Sequence, residues 1–437
     1  MSFRMSKSVV LFAFVLMALP VLAFAQTSRL EGMTLQGDYV KDYTNIYGYP
    51  SQVANVGNLA YGELGNTFGV GTGVVDRGFG SVIGNLMEGR TGAWAIHLRE
   101  LSPQLGTGDN SSVNSADPNF NMNEEFDLMW AKKAGTTSFG LRLNRSFWGS
   151  TVSPPSPGVQ TKLKFDPTAG ATAADSSARN LSRNTYGFGG GVGFEMNPNT
   201  SVEIGLLYQS RTFESTGNVA TPGVTEKEDK PTSFLLSGRA MWQWQSNIMV
   251  TPMFKWYTYD LSRKVSSPSG TRSSENTLKG WQIGAAANWS LGSNDMLVWG
   301  LDFIQNKVDQ TDALFGTPGV GGGPGIGAAA NSTITENIAP RLFAALETHV
   351  NPWLTVRMGA SKGAFTKFKT QSKVSGGTIT ETTAATFDMN IGAGVKLGTL
   401  QLDAVLANNA FQFSNGLLGG TSPTGGFFPK VTATYSF

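Results

Sequence analysis

Two histidines, His97 and His349, and no cysteine bound the chemistry open to this chain of 437 residues. Without thiols there are no disulfides, no thiolate nucleophile and no thiolate metal site. A metal would need carboxylates beside imidazole. His349 and Glu347 share a strand face, but an i, i+2 pair next to a short turn reads as structural. Serines are plentiful, yet none has a histidine and an acid patterned to activate it. The glycine clusters Gly69-Val70-Gly71-Thr72-Gly73 and Gly319 to Gly327 lack the strand-to-helix setting of a phosphate loop. The sequence therefore reads as a non-enzyme, with no catalytic site, no metal site and no cofactor.

What the sequence offers instead is a set of ionisable side chains placed opposite apolar ones. Arg99, Asp127, Arg142, Glu195, Glu203 and Arg239 belong to it, as do Lys255, Arg341, Glu347, Arg357 and Asp388. His97, Arg211, Asp302, His349, Lys396 and Asp403 fall on the same faces. Both signs occur at similar numbers, which suits internal salt bridges better than a selectivity filter of one sign. Arg142, Arg239, Lys255 and Arg357 test the assignment of faces. On a lipid-facing side each would cost about 2–4 kcal/mol at the midplane, so this face must enclose an interior.

The elements that position these residues are strands. The closing stretch alternates Val431, Ala433, Tyr435 and Phe437 against Lys430, Thr432, Thr434 and Ser436, ending in phenylalanine as outer-membrane barrels do. The same period of two runs back through Trp281/Ile283/Ala285/Ala287/Trp289 and Phe139/Leu141/Leu143 to Trp94/Ile96/Leu98. Short connections (134–136, 197–199, 246–247, 292–294, 351–352, 398–399) take turns with long polar ones. The long ones cover roughly 103–123, 149–183, 214–231, 264–275, 310–333, 371–380 and 415–425. That asymmetry, an even count of about fourteen strands, and Trp130, Trp242, Trp244, Trp289, Trp299 and Trp353 beside the short turns describe a transmembrane antiparallel up-and-down β-barrel. Pro252 lacks the N–H a ladder needs, so pairing should break there; the phase also slips between Leu406 and Phe411. With 33 basic and 31 acidic side chains there is no electrostatic case for nucleic acid. The partner expected is outer-membrane lipid, and the oligomeric state stays open.

Residues 1–25 have a basic start at Arg4 and Lys7, an apolar run and an Ala23-Phe24-Ala25 cleavage pattern, the form of an export signal. Residues 26–91 do not alternate well and read as a segment inside the barrel, leaving 92–437 as the barrel. Within that segment stand Arg29, Gly32, Met33, Asp42, Asn45, Tyr47 and Pro50. This pattern resembles the N-terminal signature of the FadL superfamily, which holds long-chain fatty-acid transporters and PorV-like proteins. It departs from the signature at Thr34, Tyr43 and the Gly48-Tyr49-Pro50-Ser51 stretch. The resemblance implies a fourteen-stranded barrel in the bacterial outer membrane, plugged by its N-terminal segment. It also implies passive uptake of hydrophobic small molecules such as fatty acids, hydrocarbons or aromatics. A general porin for polar solutes and a non-transport scaffold or secretion-associated protein are the alternatives. Gly187, Gly189, Gly191 and Gly193 make a bare strip of inner wall, either for the plug to lie on or for strand curvature. Apolar groups in the long segments (Ala313-Leu314-Phe315, Pro324-Gly325-Ile326, Leu417-Leu418, Phe427-Phe428) offer a capture groove or loop-on-loop packing.

Overall fold

The structure is a computed structural model that describes residues 28–66, 75–84, 86, 90–99, 125–152, 179–216, 225–228, 232–260, 262–267, 270–292, 295–312, 332–373, 379–384, 387–407 and 430–437. At several strand ends it describes the backbone alone. The export signal, the slip after Leu406, both glycine clusters and the apolar loop groups lie outside these residues.

The alternating segments pair in sequence. They are β1 (Leu59–Asn66), β2 (Val75–Ile83), β3 (Ala93–Arg99), β4 (Glu125–Ala134), β5 (Thr137–Val152), β6 (Arg179–Asn197), β7 (Thr200–Thr216), β9 (Thr232–Gln245) and β10 (Ile248–Asp260). The series continues with β12 (Gly270–Leu291), β13 (Asp295–Asp312), β14 (Ser332–Asn351), β15 (Leu354–Gly363), β18 (Phe387–Leu397), β19 (Leu400–Ala407) and β20 (Lys430–Ser436). Each is antiparallel to the next, and β20 returns to β1 with Tyr61 opposite Thr434, so the sheet is closed. The barrel has sixteen strands, not the fourteen that both the alternation and the FadL resemblance imply.

The two additional strands, β1 and β2, come from the stretch assigned to the interior, so the barrel starts at Leu59 rather than at residue 92. They escape the hydrophobic pattern for a physical reason. Two of the three central outward positions of β1 are Ala60 and Gly62, and on β2 Ser81 interrupts the outward Phe79 and Ile83 while Gly78 and Gly80 face inward, so neither has a row of large apolar groups. The long connections also contain sheet. Within 264–275, β11 (Arg263–Ser267) pairs antiparallel with the start of β12, and β8 (Thr225–Glu228) pairs with β11 and β7. Likewise β16 (Thr366–Ser372) and β17 (Ile379–Ala384) extend the wall above β14. At Pro252 pairing with β9 is lost between Val250 and Met253 while pairing with β12 stays regular, because the missing N–H breaks only one side.

Burial sorts the faces. Phe79, Leu98, Phe188, Ile283 and Trp299 are exposed outward, whereas Asp127, Arg142, Arg239, Lys255 and Arg357 are buried inward. Trp242, Trp244, Trp289, Trp299 and Trp353 stand exposed near the short turns, and Trp130 donates its indole N–H to the Thr91 carbonyl at 2.6 Å. No helix among the described residues is long and apolar enough to cross a membrane. A closed sheet with an apolar outside and a charged inside crosses a membrane by its strands.

Residues 28–57 lie within that ring. They form α1 (Ser28–Gly32), three 3-10 turns (Gly37–Tyr39, Tyr43–Tyr47, Pro50–Gln52) and α2 (Val53–Val56). Asp42 caps the second turn by accepting from Thr44 N, Pro50 starts the third, and Gly57 at φ 83° lets the chain swing out into β1. These pieces are too short to hold together alone. Their apolar side chains are buried against the wall: Met33, Tyr39 and Val40 with Met253, Val298 and Phe343, and Ile46 and Val53 with Tyr61, Val82 and Met129. At about 1.5–3 kcal/mol for each large side chain fully buried, the wall is what folds this segment.

Candidate functional site

Viewed along the barrel axis, the inner wall of β5, β6, β7, β9 and β10 is a stack of level rungs. One rung is Gly140, Gly191, Gly205 and Ser237, each opposite the next across neighbouring strands. Three of these four positions have no side chain, and the main chain of Gly48 to Ser51 lies across them. A Cβ on Gly140 would stand 2.2 Å from the Pro50 carbonyl carbon; one on Gly191, 2.9 Å from Pro50 Cδ; one on Gly205, 1.8 Å from the Gly48 carbonyl oxygen. The bare strip is therefore used, but differently from the expectation. Gly191 faces the inner segment, and a Cβ on Gly193 would stand 2.5 Å from the Ser138 hydroxyl of the wall and 3.5 Å from that of Ser51, whereas Cβ atoms on Gly187 and Gly189 would meet wall atoms first. On the opposite wall Gly359 meets the Met33 carbonyl, and Gly392 meets Gly32 backbone to backbone.

Charges hold the segment where the glycines let it approach. Arg29 joins Asp42 at 2.7 Å and Glu347 at 2.9 Å, so two residues of the FadL-like pattern pair with each other. Arg357 bridges Glu347 at 2.5 Å and Asp403 at 2.6 Å, and Ser28 donates to the Asp403 carbonyl. Lys430 meets Glu31 at 3.0 Å. Across the lumen Arg239 pairs with Glu203 at 2.7 Å, donates to the carbonyls of Gly37, Asp38 and Val40, and stacks on Tyr49. Lys255 pairs with Asp38, whose other oxygen accepts from Tyr49. Arg142 pairs with Asp127 at 2.7 Å and donates to the Tyr47 carbonyl. Tyr47 bonds His97 and Tyr61, while Tyr39 and Arg341 both bond Asp302. Asn45 donates back to Val40, closing a local turn.

Most of the ionisable set thus points inward as its spacing predicts, with exceptions. Glu195 is exposed at the short-turn end and pairs with Lys133. His349 is exposed, apart from Glu347, and its backbone N–H donates to Asp295. Lys396 is exposed and Asp388 is half-buried. These residues flank turns or strand ends, where alternation no longer separates lumen from solvent. The side chains of Arg99 and Arg211 lie outside the description. No group of three His, Cys, Asp or Glu that could hold a metal occurs among the described residues.

Above the glycine rung the inner wall turns apolar. Leu207 stands opposite Leu235, and Leu235 opposite Tyr257. With Tyr259, Leu278 and Val308 they form a buried cluster. Alternation does not find it, because a strand apolar on both faces loses its period. The doublets Leu206-Leu207, Leu235-Leu236 and Trp256-Tyr257 are the signal that would have. Below the glycine rung, towards the short turns, a cavity of about 450 Å³ lies between the inner segment and β5–β7, lined by Asn45, Gln52, Ser138, Glu195 and Glu203 among others.

Neither family models nor curated proteins match this chain. Solved structures of similar form include a FadL homologue of Pseudomonas aeruginosa, 12% identical over 95% of this chain and 100% of that one, with a TM-score of 0.42. The toluene transporter TodX of Pseudomonas putida is 9% identical over 95% of this chain and 97% of that one, at 0.37. CdiB of Escherichia coli is 11% identical over 87% of this chain and 63% of that one, at 0.42. Likenesses this loose place no individual residue. The closed ring, its apolar outside and its ion-paired inside identify the chain as a transmembrane β-barrel of the outer-membrane kind.

Proposed function

We propose that this barrel takes up hydrophobic small molecules passively, with residues 28–57 acting as a plug. The observation that carries the reading is that the inner side of the wall beyond the glycine rung is closed by a buried apolar layer, Leu207, Leu235, Tyr257, Tyr259, Leu278 and Val308, and not by a polar lining. A water-filled pore for polar solutes has no use for such a surface, since its lining must solvate ions and sugars. These side chains pack on one another and are buried, so an apolar solute reaches them by parting the cluster, and it can replace their mutual contacts where a polar solute cannot. The FadL-like pattern at Arg29 to Pro50 implies the same role.

The test is uptake by cells lacking the protein, with and without a restored copy, across alkanes, fatty acids and aromatics. Uptake of at least one class should fall several-fold while small sugars enter as before. A panel left unchanged, or a loss confined to polar solutes, would contradict the proposal.

A further inference from the structure

The chemistry of the inner wall changes where the plug crosses β7 and β9. Three successive rungs there read, from the outer side inwards, Leu207 opposite Leu235, Gly205 opposite Ser237, and Glu203 opposite Arg239. The first belongs to the apolar cluster, and Glu203 of the third lines the cavity at the short-turn end. Rungs on one face are two residues apart, about 7 Å. Along the wall, a single rung therefore lies between the apolar cluster and the cavity at the short-turn end.

The Gly48 carbonyl sits over Gly205 and accepts from the Ser237 hydroxyl at 3.1 Å. Gly205 has no side chain and Ser237 a small one, so neither can close the gap if the carbonyl withdraws. Gln52, which donates to Glu203 at 2.5 Å, is the other side-chain tie to this stretch of β7. The N-terminal part of the plug is held differently, through Arg29 to Glu347 and Glu31 to Lys430. Arg239 grips the carbonyls of Gly37, Asp38 and Val40 at the fixed edge of the opening, and its stacking on Tyr49, whose hydroxyl donates to Asp38, must part when the turn lifts.

We propose that solutes pass from the lumen to the periplasm along the β7–β9 wall, over Gly205 and into the cavity beside Glu203, when the Gly48–Gln52 turn lifts. The identity of the solute rests on the uptake reading above; the route does not. The test is conductance of the full chain in planar bilayers, with heat-modifiable migration as the check on folding. Gly205→Val drives the Gly48 carbonyl off the wall and should raise conductance about tenfold or more by admitting water. Gln52→Ala removes the tie without adding bulk and should give a smaller rise of the same kind. Asn390→Ala, which removes a single tie to the Glu31 carbonyl on the opposite wall and adds no bulk, should leave conductance unchanged.

Folded Gly205→Val and Gln52→Ala that both stay silent would overturn the route, as would an Asn390→Ala that conducts equally well. If Gly205→Val does not fold, Gln52→Ala decides. A rise in conductance with no change in uptake of apolar compounds keeps the route and removes the solute class. A change in uptake without conductance does the reverse.

Discussion

Deleting residues 28–57 should convert a nearly silent barrel into a wide pore with large, steady single-channel conductance. A sixteen-stranded ring leaves an aqueous channel unless something occupies it. The ring itself does not need the segment, because every strand from β1 to β20 in the closed series finds its hydrogen-bond partners in its neighbours. Wall charges such as Lys255 and Arg239 lose Asp38 and the turn carbonyls, but they would then face water instead of a dry interior, so the loss is not a buried unpaired charge. The deleted protein should therefore still show heat-modifiable migration. Conductance that stays low after the deletion, in a folded barrel, would mean that residues 28–57 do not close the lumen.

Arg357→Ala should cost about 3–5 kcal/mol, the range for breaking a buried ion pair from one side. The side chains of Arg357, Glu347 and Asp403 are 3%, 10% and 6% exposed, so water screens them little. Removing the guanidinium leaves Glu347 dependent on Arg29 alone and takes from Asp403 its cation, both facing the plug. The comparison is Lys133→Ala at the short-turn end, where the partners are 43% and 51% exposed and the loss should stay within about 1 kcal/mol. Urea unfolding of both variants in lipid vesicles reads the difference. Equal, small losses would show that the Arg29–Glu347–Arg357–Asp403 chain does not anchor the interior.

How much of this was legible in the sequence depends on where alternation holds. It holds wherever one face meets lipid and the other meets charge, which is why Arg142, Arg239, Lys255 and Arg357 were assigned inward and are buried there. It fails where small or polar residues interrupt the large outward groups, as at Ala60, Gly62 and Ser81, so β1 and β2 do not read as strands in the sequence. It fails again where the inner face is itself apolar, at Leu207 and Leu235. The plug contacts were half legible. Arg29 and Asp42 stood out by type, but which wall residues they reach depends on strand register and barrel closure, neither of which a single strand encodes. Gly191 was singled out from a run of glycines on one strand. Its rung-mates Gly140 and Gly205 lie in other strands and come level with it only once the sheet is paired.

The claim beneath all of this is that one face of each strand touches acyl chains while the other packs against an occupied interior. The natural absence of cysteine makes it directly measurable by spin labels placed one at a time along β12, from Gly280 to Trp289. Labels at 281, 283, 285 and 287 should be reached by oxygen dissolved in the bilayer, and labels at 282, 284, 286 and 288 should be immobile and reached by neither oxygen nor an aqueous nickel complex. Mobile labels at the even positions, open to the nickel complex, would show a hollow lumen, and water at the odd positions would show that this strand does not face lipid at all.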